Sequence, residues 1–296
     1  METKDNMNSI HKCGTVALLG EPNAGKSSLI NALVGCQVAI TAPVAGTTRD
    51  AIRGILNTKQ SQIIFVDTPG MQRATNLLEQ KMNRMISGAV KTADVICFVL
   101  DVNHITQKTL NKLANYEDFG VPVIVVVTKI DNATQAKLFQ VLDQLKKYSF
   151  VKEFVPVSAY KKIGTNTLIE CLEKYLPAGE SIYEEDLYTD TSTRTMAAET
   201  IREAIINQLH DEVPTGVKVV ITKYENEQRT VNIDADIICD KPNHKKIIIG
   251  NRGNLIRLIG MKARKNLEKL LGQHVVLRTY VLVREGWRNQ SEWLQN

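Results

Sequence analysis

Eight residues near the start of the chain, Gly20-Glu21-Pro22-Asn23-Ala24-Gly25-Lys26-Ser27, match G-x-x-x-x-G-K-[ST] at every specified position. The chemistry of that pattern is the gripping of a polyphosphate. Its glycines let the main chain wrap closely round an anion, Lys26 adds a mobile positive charge for the outer phosphates, and Ser27 offers a hydroxyl to Mg²⁺. Ser28 continues the same phosphate-binding stretch. Further on stands Asp67-Thr68-Pro69-Gly70, followed by Met71. An acid directly after a buried strand can hold Mg²⁺ through its water, and Gly70 can offer its N–H to a γ-phosphate. In Thr128-Lys129-Ile130-Asp131 a carboxylate can accept both N1–H and the exocyclic amine of guanine, a donor pair that adenine does not present. Such a site rejects the wrong base because mismatched polar groups stay unpaired. The stem of Lys129 can pack on the purine face, and Ser158-Ala159-Tyr160 can supply a backbone N–H to the guanine oxygen.

Elements must bring these stretches together. Thr15–Leu19 reads as a short buried strand and Ser27–Val34 carries apolar residues at helical spacing. Strand, loop and helix N-terminus then aim backbone N–H groups and a helix dipole at one point. Further strands are expected at Ile52–Asn57, Gln62–Val66, Val95–Leu100, Val123–Val127 and Phe154–Val157. Helices are expected at Leu77–Lys91, Lys108–Tyr116, Thr134–Lys147 and Thr165–Tyr175. Continuous Val/Ile runs indicate strands buried on both faces, hence a mainly parallel sheet covered by helices. Asn57-Thr58-Lys59 makes the one hairpin. In such sheets the ligand lies at the carboxyl ends of the strands, where the polar stretches above fall.

The second half has a different character. Pro177–Asp190 turns to Pro, Gly and five acids with no base, which reads as a linker between residues 1–176 and 191–296. A helix at Thr195–His210, strands at Val217–Tyr224 and Thr230–Ile238 joined across Glu225-Asn226-Glu227, a short helix at His244–Ile249, a long one at Leu255–Leu271 and a strand at Val275–Val283 give the order α-β-β-α-α-β. Between the last two helices lies Gly250-Asn251-Arg252-Gly253, a G-x-x-G turn in an arrangement that resembles a KH domain. Lys245, Lys246 and Arg252 favour a sugar–phosphate backbone there, Ile247, Ile248 and Ile249 can floor a groove for unstacked bases, and Arg257 flanks it. Charge agrees: the chain is +5 overall, yet residues 1–190 are neutral, 191–243 carry −3 and 244–296 carry +8. A polyanionic partner is expected at that end. Trp287 and Trp293 suit packing and RNA stacking equally.

At 296 residues and 43% apolar content two cored domains are expected. The polar start carries no secretory signal and no apolar run is long enough to cross a bilayer. Cys13, Cys36, Cys97, Cys171 and Cys239 are widely spaced and odd in number, so they read as reduced thiols in a cytoplasmic protein.

The phosphate, Asp-x-x-Gly and base-reading stretches, in this order, resemble a GTPase of the translation-factor-related class. The Pro-Asn-Ala-Gly-Lys-Ser wording and Gly46-Thr47-Thr48-Arg49-Asp50 resemble the Era/EngA/MnmE branch, and the carboxyl half, with Arg284-Glu285-Gly286-Trp287-Arg288, resembles the Era family. The resemblance implies an α/β P-loop GTPase domain followed by a smaller α+β type II KH domain. It implies slow, Mg²⁺-dependent GTP hydrolysis, with Thr48 completing the Mg²⁺ shell and Asn23 able to bind K⁺. Lys26, Thr48, Asp67 and Gly70 are then the catalytic set, and hydrolysis is expected to release the Thr48 and Gly70 contacts and relax the two flanking loops. The implied partners are GTP/GDP, the 3′ end of 16S rRNA and the 30S subunit during its assembly, for a monomer in the cytoplasm. A second reading puts the basic face on anionic lipid at the inner face of the cell membrane, as for peripheral proteins, without a lipid anchor. A tRNA-modifying role like that of MnmE lacks its carboxyl-terminal cysteine motif, since no Cys follows Cys239. The chain departs from the family at Thr128, where asparagine is usual, and at Asn251-Arg252, where Lys-Gly is common. At Met71, Ras-like proteins carry a water-orienting glutamine, which a thioether cannot replace.

Overall fold

The unbroken apolar runs at 95–100 and 123–127 form strands that are buried along their whole length: β4 (Val95–Asp101) and β5 (Val123–Thr128). In the computed structural model, which describes residues 11–42, 46–209, 213 and 216–294, they lie inside a six-stranded sheet of order β2-β3-β1-β4-β5-β6. The other strands are β1 (Lys12–Gly20), β2 (Ile52–Asn57), β3 (Ser61–Asp67) and β6 (Val151–Pro156). All neighbours are parallel except β2 and β3, the expected hairpin. Helices α1 (Lys26–Val34) and α5 (Thr165–Tyr175) bury Leu29, Leu33 and Leu168 on one face. Helices α2 (Leu77–Thr92), α3 (Gln107–Ala114) and α4 (Gln135–Leu145) bury Ile86, Leu110 and Leu145 on the other. With β3 and β4 on either side of β1 and covering helices on opposite faces, a crevice opens at the carboxyl end of β1.

A second sheet of order β7-β8-β9 comprises β7 (Val217–Glu227), β8 (Thr230–Cys239) and β9 (His274–Val283), with β7/β8 antiparallel and β8/β9 parallel. Its strands alternate buried and accessible residues because helices α6 (Thr193–Ile206) and α8 (Asn254–Leu271) cover one face only. Helix α7 (Pro242–Ile249) leads into the turn before α8. The chain therefore has the α-β-β-α-α-β order.

Four expectations shift. Glu225-Asn226-Glu227 are the last residues of β7, not the turn, because Glu227 pairs directly with Thr230 and only two residues lie between. Strand β6 starts three residues earlier than its apolar run, since Val151 pairs with Val123 ahead of a register shift. Helix α6 ends at Ile206, and His210 lies outside the described residues. The acidic segment 177–190 is strapped along the first sheet: Tyr188 O accepts from Ile55 N at 2.8 Å, Thr189 Oγ1 donates to Arg53 O at 2.6 Å, and Arg53 pairs with Asp190 at 2.7 Å. These bonds cover the outer edge of β2, which the sheet leaves unpaired.

Candidate functional site

The crevice is a cleft of about 730 Å³ lined by the phosphate loop from Glu21 to Ser28, Thr48, Gly70 and Lys129, and by Thr41 and Asp101. Lys26 is buried in it, its Nζ donating to the carbonyls of Gly20 at 3.2 Å and Glu21 at 3.0 Å. Burial lowers its pKa to about 8, against the attraction of Asp67 and Glu21. A polyphosphate would supply the negative charge this ammonium lacks.

Three oxygens meet beside it. Ser27 Oγ donates to Asp67 Oδ2 at 2.6 Å, Thr48 Oγ1 reaches the same oxygen at 3.2 Å, and the two hydroxyls are 3.0 Å apart. Burial pushes the Asp67 carboxyl up, while Lys26 and the two hydroxyls pull it down. Its Oδ1 is buried without a hydrogen-bond partner among the described residues, an acceptor left over for a cation or its water. Hydroxyls and a carboxylate are hard oxygen donors, and the set fits Mg²⁺ completed by phosphate and water.

Gly70 lets two loops touch. A Cβ there would lie 2.6 Å from the backbone nitrogen of Pro22, so any side chain would part Asp67-Thr68-Pro69-Gly70 from the phosphate loop. Thr68 Oγ1 ties the turn to Leu18 O at 2.7 Å, and Met71 N donates to Gly20 O at 3.1 Å. The thioether of Met71 packs into the core beneath, with Tyr116 OH on its sulfur at 3.4 Å. Lys112 on α3 grips both loops, through Glu21 Oε1 at 3.0 Å and Met71 O at 2.9 Å. No sequence pattern singles out Lys112, because its role depends on which helix face meets the loops.

At the base end, Thr128 Oγ1 lies 2.6 Å from Ala24 O and 3.1 Å from Leu100 O, and its single proton serves the nearer. Asp131 accepts from Ser158 Oγ at 2.5 Å, which fixes the carboxylate. Asp131, Ser158 and Ala159 are not among the residues lining the cleft, whereas the neighbouring Lys129 is. Lys129 is held in the left-handed region (φ 58°) with Nζ on Asn23 O at 2.7 Å and Asp101 Oδ2 at 2.9 Å. Asp101 lies outside the sequence motifs, although like Asp67 it is an acid at the carboxyl end of a buried strand. Burial pushes its carboxyl up, but hydrogen bonds from Lys129, the Asn103 amide and His104 outweigh that and hold it below the usual range.

The second candidate site lies where α7 turns into α8. Gly250 has φ +71°, and a Cβ there would sit 2.6 Å from Leu255 Cβ, so only glycine closes this turn. Arg252 is exposed in a left-handed conformation (φ 50°), beside exposed Asn251 and Lys246 and half-exposed Lys245. A groove of about 340 Å³ runs along α8 and β9, lined by Ile256, Arg257, Gly260, Met261, Arg264, Leu277 and Thr279. Its apolar floor thus comes from Ile256, Met261 and Leu277 and not from residues 247–249. Ile248 is fully buried in the core, Ile247 is 40% exposed and Ile249 is half-buried, because one helix turn points successive side chains in different directions. Trp287 is a packing residue, 1% exposed, with its indole N–H on Gly216 O at 3.1 Å.

The family profile described as "50S ribosome-binding GTPase" matches residues 15–129, and a KH domain profile matches 212–288. GTPase Era of Ruminiclostridium cellulolyticum is 36% identical over 289 residues, which cover 96% of each chain. The chain belongs to the Era family of GTPases. GTPase Era of Aquifex aeolicus is 38% identical over 296 residues, 96% of this chain and 98% of that one. A crystal structure of Era with MgGDPNP and nucleotides 1506–1542 of 16S ribosomal RNA matches with TM-score 0.91 and 37% identity, covering 96% of this chain and 97% of that one. A variant of Aquifex aeolicus Era bound to GDP·AlF4⁻ matches with TM-score 0.90 at 36% identity over the same shares. This Era-family chain is thus a P-loop GTPase domain followed by a KH domain.

Proposed function

We propose that this Era-family GTPase is a slow GTP-driven switch that holds the 3′ end of 16S rRNA through its KH domain and acts in assembly of the 30S subunit. The observation that carries the reading is the coexistence, in one chain, of the Ser27–Thr48–Asp67 oxygen cradle and a basic groove behind a G-x-x-G turn. The relative solved with MgGDPNP and 16S rRNA nucleotides supports the nucleotide, metal and RNA assignments. A concave groove beside a charged turn suits a nucleic-acid strand better than a lipid surface.

In this mechanism Asp131 reads guanine, while Thr128 braces the base loop on Ala24. Lys26 and the N-terminus of α1 neutralise the outer phosphates, and the Gly70 N–H meets the γ-phosphate. Mg²⁺, when bound, draws charge from the phosphate oxygens; Ser27 and Thr48 would hold it directly, and Asp67 through water. Met71 cannot orient the attacking water, which keeps hydrolysis slow. K⁺ held at Asn23 would add positive charge. In support, Asn23 lines the cleft in a left-handed conformation (φ 62°). Equal turnover in K⁺ and Na⁺ buffers, with and without RNA, would remove the K⁺ assignment. The reading includes a monomer in the cytoplasm, divided into residues 1–176, 177–190 and 191–296.

The test is titration of a single-stranded 3′-end rRNA oligonucleotide with nucleotide-free, GDP-loaded and GTP-analogue-loaded protein. The expected result is tight binding that depends on the nucleotide. Absent or nucleotide-insensitive binding would overturn the function proposed.

A further inference from the structure

Thr48 is flanked by residues that the second domain holds. Arg202, 2% exposed on α6, donates through Nη2 to the carbonyl of Thr47 and pairs with the Glu199 carboxylate. The next residue, Glu203, accepts through Oε1 from Thr41 N at 2.8 Å and Thr41 Oγ1 at 3.2 Å, and through Oε2 from Gln37 Nε2 at 3.0 Å. On the far side of Thr48, Arg49 reaches back to the second sheet. Its Nη1 donates to Val217 O at 2.5 Å, and its guanidinium lies 5.4 Å over the Trp287 ring. Gln37, Thr41, Thr47 and Arg49 are therefore fastened to the carboxyl-terminal half, before and after the threonine whose hydroxyl meets Ser27 and Asp67.

These fastenings are a poor route to stability. Arg202 Nη1 is buried with no hydrogen-bond partner among the described residues. A buried guanidinium with an unpaired N–H contributes less than a well-packed apolar side chain of the same volume. The arrangement does, however, fix the backbone on both sides of one hydroxyl.

We propose that Arg202 and Glu203 of helix α6 are positioning residues for GTP hydrolysis: by gripping Thr47 and Thr41 they hold Thr48 over the Mg²⁺ and γ-phosphate position. The KH half thereby acts as part of the nucleotide site. Thr48 contacts matter only when a γ-phosphate is present, so the grip favours GTP over GDP. By reciprocity GTP favours the grip, and α6 shares one apolar core with α8, whose other face lines the RNA groove. This inference rests on the nucleotide reading above, with Thr48 as a Mg²⁺ ligand.

The experiment measures, in the full chain, the affinities for GDP and for a non-hydrolysable GTP analogue, and the Mg²⁺ concentration giving half-maximal hydrolysis. Arg202→Met should leave GDP affinity unchanged, weaken the GTP analogue about tenfold and raise the Mg²⁺ requirement by a similar factor. Arg202→Lys, which keeps a donor for the Thr47 carbonyl, should recover part of both. Glu203→Gln should move both in the same direction by less, and carries the test if Arg202→Met does not fold. A merely structural role would lower the melting temperature with the GTP-to-GDP affinity ratio unchanged. That ratio staying at the wild-type value in folded Arg202→Met, or in Glu203→Gln if that must stand in, overturns the proposal. Failure of the wild-type chain to bind GTP at all would instead overturn the nucleotide reading beneath it.

Discussion

Thr128 ends β5, and its hydroxyl ties that strand to the phosphate loop, 2.6 Å from Ala24 O. Thr128→Val keeps the shape and removes the donor, leaving a buried carbonyl unpaired at a cost of about 1–3 kcal/mol. GDP affinity should fall about tenfold or more, as read by titration with a fluorescent nucleotide; an unchanged affinity would show that the brace is idle. Asp131 is a purer test of base reading, because Ser158 holds it in place. Asp131→Asn turns an acceptor into a donor and should shift preference from GTP towards XTP by roughly a hundredfold, since each wrong pairing strands a polar group. Competition between the two nucleotides measures it. Both positions were legible as residue types after a strand. Lys112 was not, because its two partners, Glu21 and Met71, come from segments brought to it by folding.

At the scale of elements, the turn between α7 and α8 separates RNA binding from nucleotide chemistry. An added Cβ at Gly253 meets nothing within 4 Å, whereas one at Gly250 collides with Leu255. Gly253→Asp therefore adds charge and, at φ +78°, backbone strain, and Gly250→Asp adds a steric collision as well. Each should weaken single-stranded RNA by about tenfold or more in filter binding while GTP turnover without RNA stays as in the wild type. The exposed Lys246 should act through phosphate alone. Lys246→Ala is expected to lower the salt dependence of RNA affinity by about 0.7 in logarithmic slope, the share of one neutralised phosphate on a single strand. A slope equal to that of the wild type would remove Lys246 from the interface. Strand and helix identities were readable from periodicity. The groove floor was not, because Ile256 and Leu277 lie on separate elements whose packing alone sets them side by side.

For the whole molecule, the decisive contact is the apolar cluster in which Leu78 and Met82 of α2 meet Ile238 of β8 and Trp287. Trp287→Ala should destabilise the chain by about 3–5 kcal/mol. In calorimetry it should also split unfolding into two transitions, because the lost packing lies between the sheets; a single transition at the wild-type temperature would contradict this. By itself the sequence determined the phosphate-loop pattern, the two-part fold and the basic end, because each depends on neighbours a few residues apart or on strand periodicity. Only the tertiary structure decided that segment 177–190 is strapped to β2, that Trp287 is buried, and that α6 grips the loop around Thr48. Those facts join residues more than a hundred positions apart, and the last two exist only once two separate cores have packed against each other.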